Sequence, residues 1–141
     1  MKKITAILLV LVMALALTAC ATNDSVATTP TNPTEHVEAT VIGEGDTTFS
    51  FTVVELDGKQ THYEVHTNET TVGAALLALG LIGGEDGPYG LYVTSVNGIV
   101  ADYNVDKTYW SFHVNGEYAL SGVDMTDIVP GTAYSFVQTK E

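Results

Sequence analysis

From Thr47 onward, apolar and polar side chains alternate in short bursts separated by turn residues. Phe49, Phe51 and Val53 alternate with Ser50, Thr52 and Val54, the period-two pattern of a half-buried strand. Asp57-Gly58 follows, a pair that favours a tight hairpin turn. Thr61 to Thr67 then sets Tyr63 and Val65 on one face and His62, Glu64 and His66 on the other, so the first two strands pair as a hairpin. Next the period changes. Asn68-Glu69-Thr70-Thr71 offers helix-capping side chains. Val72, Ala75, Leu76 and Leu79 recur at the spacing of an amphipathic helix, which Gly80 and Gly83-Gly84 stop.

Beyond the helix the pattern returns to strands. Glu85 to Gly90 reads as a loop. Leu91 to Val96 reads as a strand turned by Asn97-Gly98, with Ile99 to Ala101 continuing it. Tyr103 to Lys107 is polar and reads as a loop. Tyr109 to Val114 puts Trp110, Phe112 and Val114 on one face, and Asn115-Gly116 turns it into Glu117 to Leu120. After Pro130-Gly131, Ala133 to Thr139 forms a last strand with Tyr134 and Phe136 on one side. The order is ββαβ and then further hairpins. It predicts an α+β domain of the β-grasp type over residues 47–141, with one helix packed on a mixed or antiparallel sheet. Such a length can bury one modest core.

The beginning of the chain has a different character. Lys2-Lys3 precede a 14-residue apolar run, Ile4 to Leu17, and small residues follow up to Cys20. A basic start, an apolar run too short to span a bilayer and a small-residue cleavage site describe a signal peptide over residues 1–19. Leu17-Thr18-Ala19-Cys20 looks like a bacterial lipobox, which implies lipidation of Cys20. It is the only cysteine, so no intramolecular disulfide forms. Residues 20–46 are rich in Thr, Asn, Ala, Pro and Glu and read as a flexible tether, with Val41-Ile42 able to start a strand. The expected location is the extracytoplasmic face of a bacterial cell membrane, held there by the lipid.

Charge narrows the classes of partner. Beyond Cys20 there are three lysines, no arginine and 17 acids, a net charge of −14 before the histidines. A chain so acidic repels nucleic acid and favours a neutral or cationic ligand. No Gly-x-Ser-x-Gly elbow or phosphate-binding glycine loop appears, and the expectation is a protein that is not an enzyme and has no cofactor.

Thr71 to Gln138 resembles the C-terminal β-domain of the transcobalamin and intrinsic factor family, which has stand-alone bacterial relatives of unknown function. Tyr92-Val93-Thr94-Ser95-Val96-Asn97-Gly98, the Tyr109-Trp110 pair, Ser121-Gly122 and Asp127 to Gly131 carry the likeness, together with the helix start at Thr71. The resemblance implies a domain that closes over one side of a bound corrinoid. It points to contacts at the strand start Leu91-Tyr92-Val93 and near Trp110. The chain has no counterpart of the family's α-helical barrel.

A corrinoid is broad and flat, and ring faces, aliphatic side chains and backbone groups suit it. The candidate ligand-binding residues are Tyr89, Leu91, Tyr92, Val93, Tyr109, Trp110 and Tyr118. For Trp110 two readings stay open, since its alternation with Phe112 and Val114 also fits a core face. His62, Glu64 and His66 share one strand face and could in principle bind zinc. An exposed polar strand face is the better account of them, and no metal is assigned. His113 faces away from Trp110. Glu85-Asp86 and Asp102 to Asp106 are acidic but lack an EF-hand spacing. The expected function is a surface-anchored binding lipoprotein for cobalamin, another corrinoid or a related small molecule, acting beside an envelope partner or transporter. The alternative is a protein–protein or cell-envelope interaction module without a small-molecule ligand.

Overall fold

A computed structural model describes residues 38–141. The expected signal peptide and the lipidation of Cys20 lie outside them. The strands are β1 (Thr40–Gly43), β2 (Thr47–Val54), β3 (Gln60–Thr67), β4 (Ile82–Gly87), β5 (Gly90–Val96), β6 (Ile99–Val100), β7 (Thr108–Val114), β8 (Glu117–Tyr118) and β9 (Ala133–Lys140). The helices are α1 (Val72–Ala78) and a single turn, α2 (Tyr103–Asp106), with a 3-10 turn at Val123–Met125. No helix among the described residues is long and apolar enough to cross a membrane.

Two sheets form. A six-stranded mixed sheet runs β1-β3-β2-β9-β7-β8, and a three-stranded antiparallel sheet runs β4-β5-β6. The β2–β3 hairpin has the register expected from its alternation, with Phe51 opposite Tyr63 and Phe49 opposite Val65. The last strand inserts beside the first strand of that hairpin. β9 pairs β2 in parallel and β7 antiparallel.

Inward-facing residues of the large sheet build the core. Phe51, Val53, Val65, Tyr134 and Phe136 are buried, and α1 adds Val72, Ala75 and Leu76. Phe49 meets Tyr134 edge-on with ring centroids 5.4 Å apart, and Phe112 lies 5.1 Å from Phe136. Offset and edge-on contacts of this kind add to plain area burial. The Tyr134 hydroxyl is not stranded, since it accepts from the Val129 N–H at 3.0 Å and donates to the Asp127 carbonyl at 3.2 Å.

Local chemistry explains the elements. Thr71 caps α1 by accepting from the Ala74 N–H at 3.3 Å. The Leu81 N–H closes on the Leu76 carbonyl at 2.9 Å, past Gly80 at φ 68°, the hydrogen bond of a Schellman stop. Both Asn-Gly pairs turn with positive φ at each residue, 51° and 77° at Asn97-Gly98, 51° and 83° at Asn115-Gly116. That is the twist-matched hairpin geometry that this dipeptide favours.

Three segments depart from the sequence reading. Glu85 to Gly87, read as loop, belong to β4, which pairs β5 with a register shift at Gly83/Gly84. The backbone ladder makes this strand although its composition does not. A Cβ at Gly84 would lie 2.1 Å from the Tyr92 carbonyl oxygen, so the bulge needs a residue without one. Tyr103 to Asp106, also read as loop, form the short helix α2. The Asp102 carboxylate caps it by accepting from the N–H groups of Asn104 and Val105. Thr40–Gly43, inside the stretch read as tether but around the Val41-Ile42 pair allowed as a strand start, is an edge strand parallel to β3. Described structure therefore starts upstream of Thr47.

Candidate functional site

The two sheets are stitched together by side chains. The Trp110 indole N–H donates to the Ile99 carbonyl at 3.2 Å, and the Tyr63 hydroxyl donates to Asn97 Oδ1 at 2.9 Å. One bond ties β7 to β6, the other ties β3 to the β5–β6 turn. In the seam between the sheets lies a cleft of about 650 Å³. β5 supplies Leu91, Tyr92 and Val93, β7 supplies Tyr109, Trp110 and Phe112, and β8 supplies Tyr118. The segment after β8 closes the far side with Leu120, Gly122, Val123 and Met125.

All seven residues singled out as ligand-binding candidates line this one cleft, but they do so in different ways. Trp110 and Val93 are buried in its floor, with Trp110 at 7% exposure and its N–H satisfied. Trp110 therefore serves the core and the cleft at once, and the two readings left open for it are not exclusive. Leu91 and Tyr109 are half-buried. Tyr89 stands at the hairpin tip at 90% exposure, and Tyr92 and Tyr118 also present much of their rings to solvent. Sequence reasoning missed Pro88, Leu120 and Met125, which share the cleft. Leu120 and Met125 are exposed apolar side chains within a turn-rich stretch, and that mismatch was the available signal.

Asp124 is a second omission. It lies in the 3-10 turn between two cleft-lining residues, Val123 and Met125. Its Oδ1 is shut off from solvent and has no hydrogen-bond partner. A Cβ at Gly90 would lie 2.8 Å from each carboxylate oxygen, and one at Gly122 would lie 2.7 Å from Oδ1. The carboxylate is thus packed against the backbone at two glycines beside the cleft.

The other candidate side chains are engaged locally. His66 Nε2 is 2.9 Å from Glu64 Oε1, and His62 Nδ1 is 3.0 Å from Thr52 Oγ1. Among the described residues no three His, Cys, Asp or Glu side chains gather as a metal site would require. His113 is 3.0 Å from the Ser111 hydroxyl, with its ring 5.3 Å from that of Tyr118. Asp106 accepts from both the hydroxyl and the N–H of Thr108, which holds its carboxyl below the usual range. The Tyr103 hydroxyl donates to the Glu141 carboxylate, which raises its pKa.

Residues 69–136 match a family described as a domain of unknown function (DUF4430). A crystal structure of a protein from Ruminococcus gnavus ATCC 29149, to which metal binding has been provisionally ascribed, is 26% identical over 68% of this chain and 99% of that one, with a TM-score of 0.64. Haptocorrin, seen in complex with cobinamide, is 19% identical, with a TM-score of 0.52. That match covers 70% of this chain but only 27% of haptocorrin, and it speaks to the fold alone. No curated protein matches the chain. These findings support the family-level resemblance stated above.

Proposed function

We propose that this domain is a non-enzymatic small-molecule binder, and that a corrinoid or a ligand of similar shape is the first class to test. The observation that carries this reading is the cleft itself. Its volume of about 650 Å³ falls within the usual range for ligand sites, roughly 300–1,000 Å³. Its lining is aromatic and aliphatic, and buried Trp110 and Val93 form a floor already held by packing. Preformed apolar walls save a ligand the cost of ordering them. The fold shared with haptocorrin makes the corrin ring a reasonable probe. In this reading the chain is a stand-alone relative of the transcobalamin C-terminal β-domain. The strand order β3-β2-β9-β7-β8, with β2 and β9 parallel, supports the β-grasp assignment. The lipid at Cys20 would hold the domain at the extracytoplasmic face of the membrane, where a transporter or envelope partner could receive the ligand.

The test is titration of the full chain with cobinamide and with cobalamin, read by corrin absorbance and by Trp110 emission. Saturable quenching supports the reading. No change in either signal at high micromolar ligand overturns it.

One observation favours a second reading. Tyr89, Tyr118, Leu120 and Met125 are all well exposed around the cleft rim, and exposed aromatic anchors are the usual centre of a protein interface. A protein partner captured by the full chain without corrinoid, and lost on Tyr89→Ser with Leu120→Ser, would favour that alternative.

A further inference from the structure

Neither the cleft nor the smaller cleft beside it has a cationic side chain in its lining. The larger lining contains four tyrosines and Trp110 and no charged side chain. The smaller cleft, of about 380 Å³, runs along the β4–β5 hairpin and adds Glu85 and Asp86. Pro88, Tyr89, Leu91 and Tyr92 belong to both, so those two acids adjoin the tyrosines. Asp124 is in neither lining but packs against Gly90 of the same hairpin, and its Oδ1 is closed to solvent and has no hydrogen-bond partner. A buried polar atom left unpaired in a native fold calls for an explanation. Asp124 as a whole is half-buried, and its carboxylate attracts a positive group brought near it. The wall residues Val123 and Met125 flank Asp124 in sequence, so a positive group in the cleft would lie within range of its field.

Ring faces favour the same sign. A cation within about 6 Å of a tyrosine ring gains roughly 0.5–2 kcal/mol, depending on desolvation. The chain already uses this contact close by, since the Lys107 ammonium sits 4.6 Å from the Tyr103 ring centre. Among the described residues, none of the four cleft tyrosines holds such a cation. An anion would meet Glu85, Asp86 and Asp124 with no cationic side chain in either lining. A neutral apolar ligand would gain from burial alone.

We propose that the cleft selects organic cations, a primary or quaternary ammonium on an apolar body, with the tyrosine faces against the charged head and Asp124 as counter-charge behind the wall. This rests on the reading that the cleft binds a small molecule. The experiment compares choline with its uncharged isostere 3,3-dimethylbutan-1-ol on the full chain, with cobinamide titrated in parallel. Binding is read by Trp110 emission and by tyrosine-ring NMR shifts. Choline should bind about ten-fold tighter than the isostere, and Asp124→Asn should bring the ratio close to one. Tyr92→Leu, at an exposed position, carries the test independently should Asp124→Asn fail to fold, and must weaken choline while sparing the isostere. If cobinamide binds and the isostere equals choline, the cation selectivity is overturned and the binding reading stands. If cobinamide, choline and isostere all leave both signals unchanged, both are overturned. A ratio that survives Asp124→Asn overturns the role of Asp124.

Discussion

Gly73 offers a test in which the local rule and the tertiary structure disagree in sign. It sits in the first turn of α1 and is buried. By helix propensity alone, Gly→Ala should stabilise the fold by about 1 kcal/mol. Here a Cβ would lie 2.6 Å from the Asp124 Cα, 2.8 Å from its nitrogen and 3.0 Å from the Val123 carbonyl carbon. Carbon atoms pack best at about 3.5–4.0 Å, so the 3-10 turn must retreat by roughly 1 Å. It is not free to do so. The Val72 N–H donates to the Thr126 carbonyl at 2.9 Å, and the Ile128 N–H donates to the Thr70 carbonyl at 2.9 Å. Overpacking of this kind costs about 1–3 kcal/mol, and loosening those two bonds adds up to about 1 kcal/mol. Set against the propensity gain, Gly73→Ala should destabilise by up to about 3 kcal/mol. For a domain of this size that lowers Tm by up to roughly 20 °C. Thermal unfolding followed by circular dichroism measures it. Ala74→Gly, at the next and less buried position, is the control and should cost about 1 kcal/mol through propensity alone. A higher midpoint for Gly73→Ala would refute the claim that α1 and the 3-10 turn are locked together.

Further expectations follow from the same structure. Trp110→Ala should cost about 3–5 kcal/mol by urea unfolding, through the cavity it leaves and the Ile99 carbonyl it abandons. Asn115→Ala should cost about 1–2 kcal/mol, because residue 115 holds φ at 51° and its side chain accepts from the Ala133 N–H at 3.2 Å; Asn115→Gly should recover most of the conformational part, as chemical denaturation would report. For Asp106, the Thr108 hydrogen bonds hold the folded pKa below the ordinary 3.8. Its contribution is therefore present above pH 3.8 and is lost as pH falls through the lower folded value. Acid titration followed by near-UV circular dichroism should show that this loss disappears in Asp106→Asn.

Much of the fold was legible because it rests on local rules. The alternation of Phe49, Phe51 and Val53, the cap at Thr71 and the two Asn-Gly turns each state their structure within a few residues. β4 was not legible, since Gly83, Gly84, Glu85, Asp86 and Gly87 have neither apolar alternation nor strand propensity. It exists because β5 offers a complete ladder, and ladder partners are not written in the strand itself. The parallel docking of β9 on β2 has the same origin. Residues some 80 positions apart pair there, Phe51 with Tyr134 and Val53 with Phe136, and no local pattern encodes that choice. α2 was hidden for a different reason. One turn is too short to show a period, and only the Asp102 cap marks its start.

The site divided along the same line. Residues carried by strands were found, because alternation decides which face they take. Tyr92 and Val93 leave β5 on opposite sides, one exposed and one buried, as period two requires. Pro88, Leu120 and Met125 come from turns, where no period assigns a face. Asp124 is the instructive omission. In the sequence it is one acid among 17, and nothing separates it from those in solvated loops. What sets it apart is that Gly90 and Gly122, 34 and two positions away, both approach its carboxylate, and that Oδ1 is closed to solvent with no hydrogen-bond partner. A carboxylate becomes a candidate counter-ion only when the chain has removed its alternatives, and that removal is a property of the assembled seam between the two sheets.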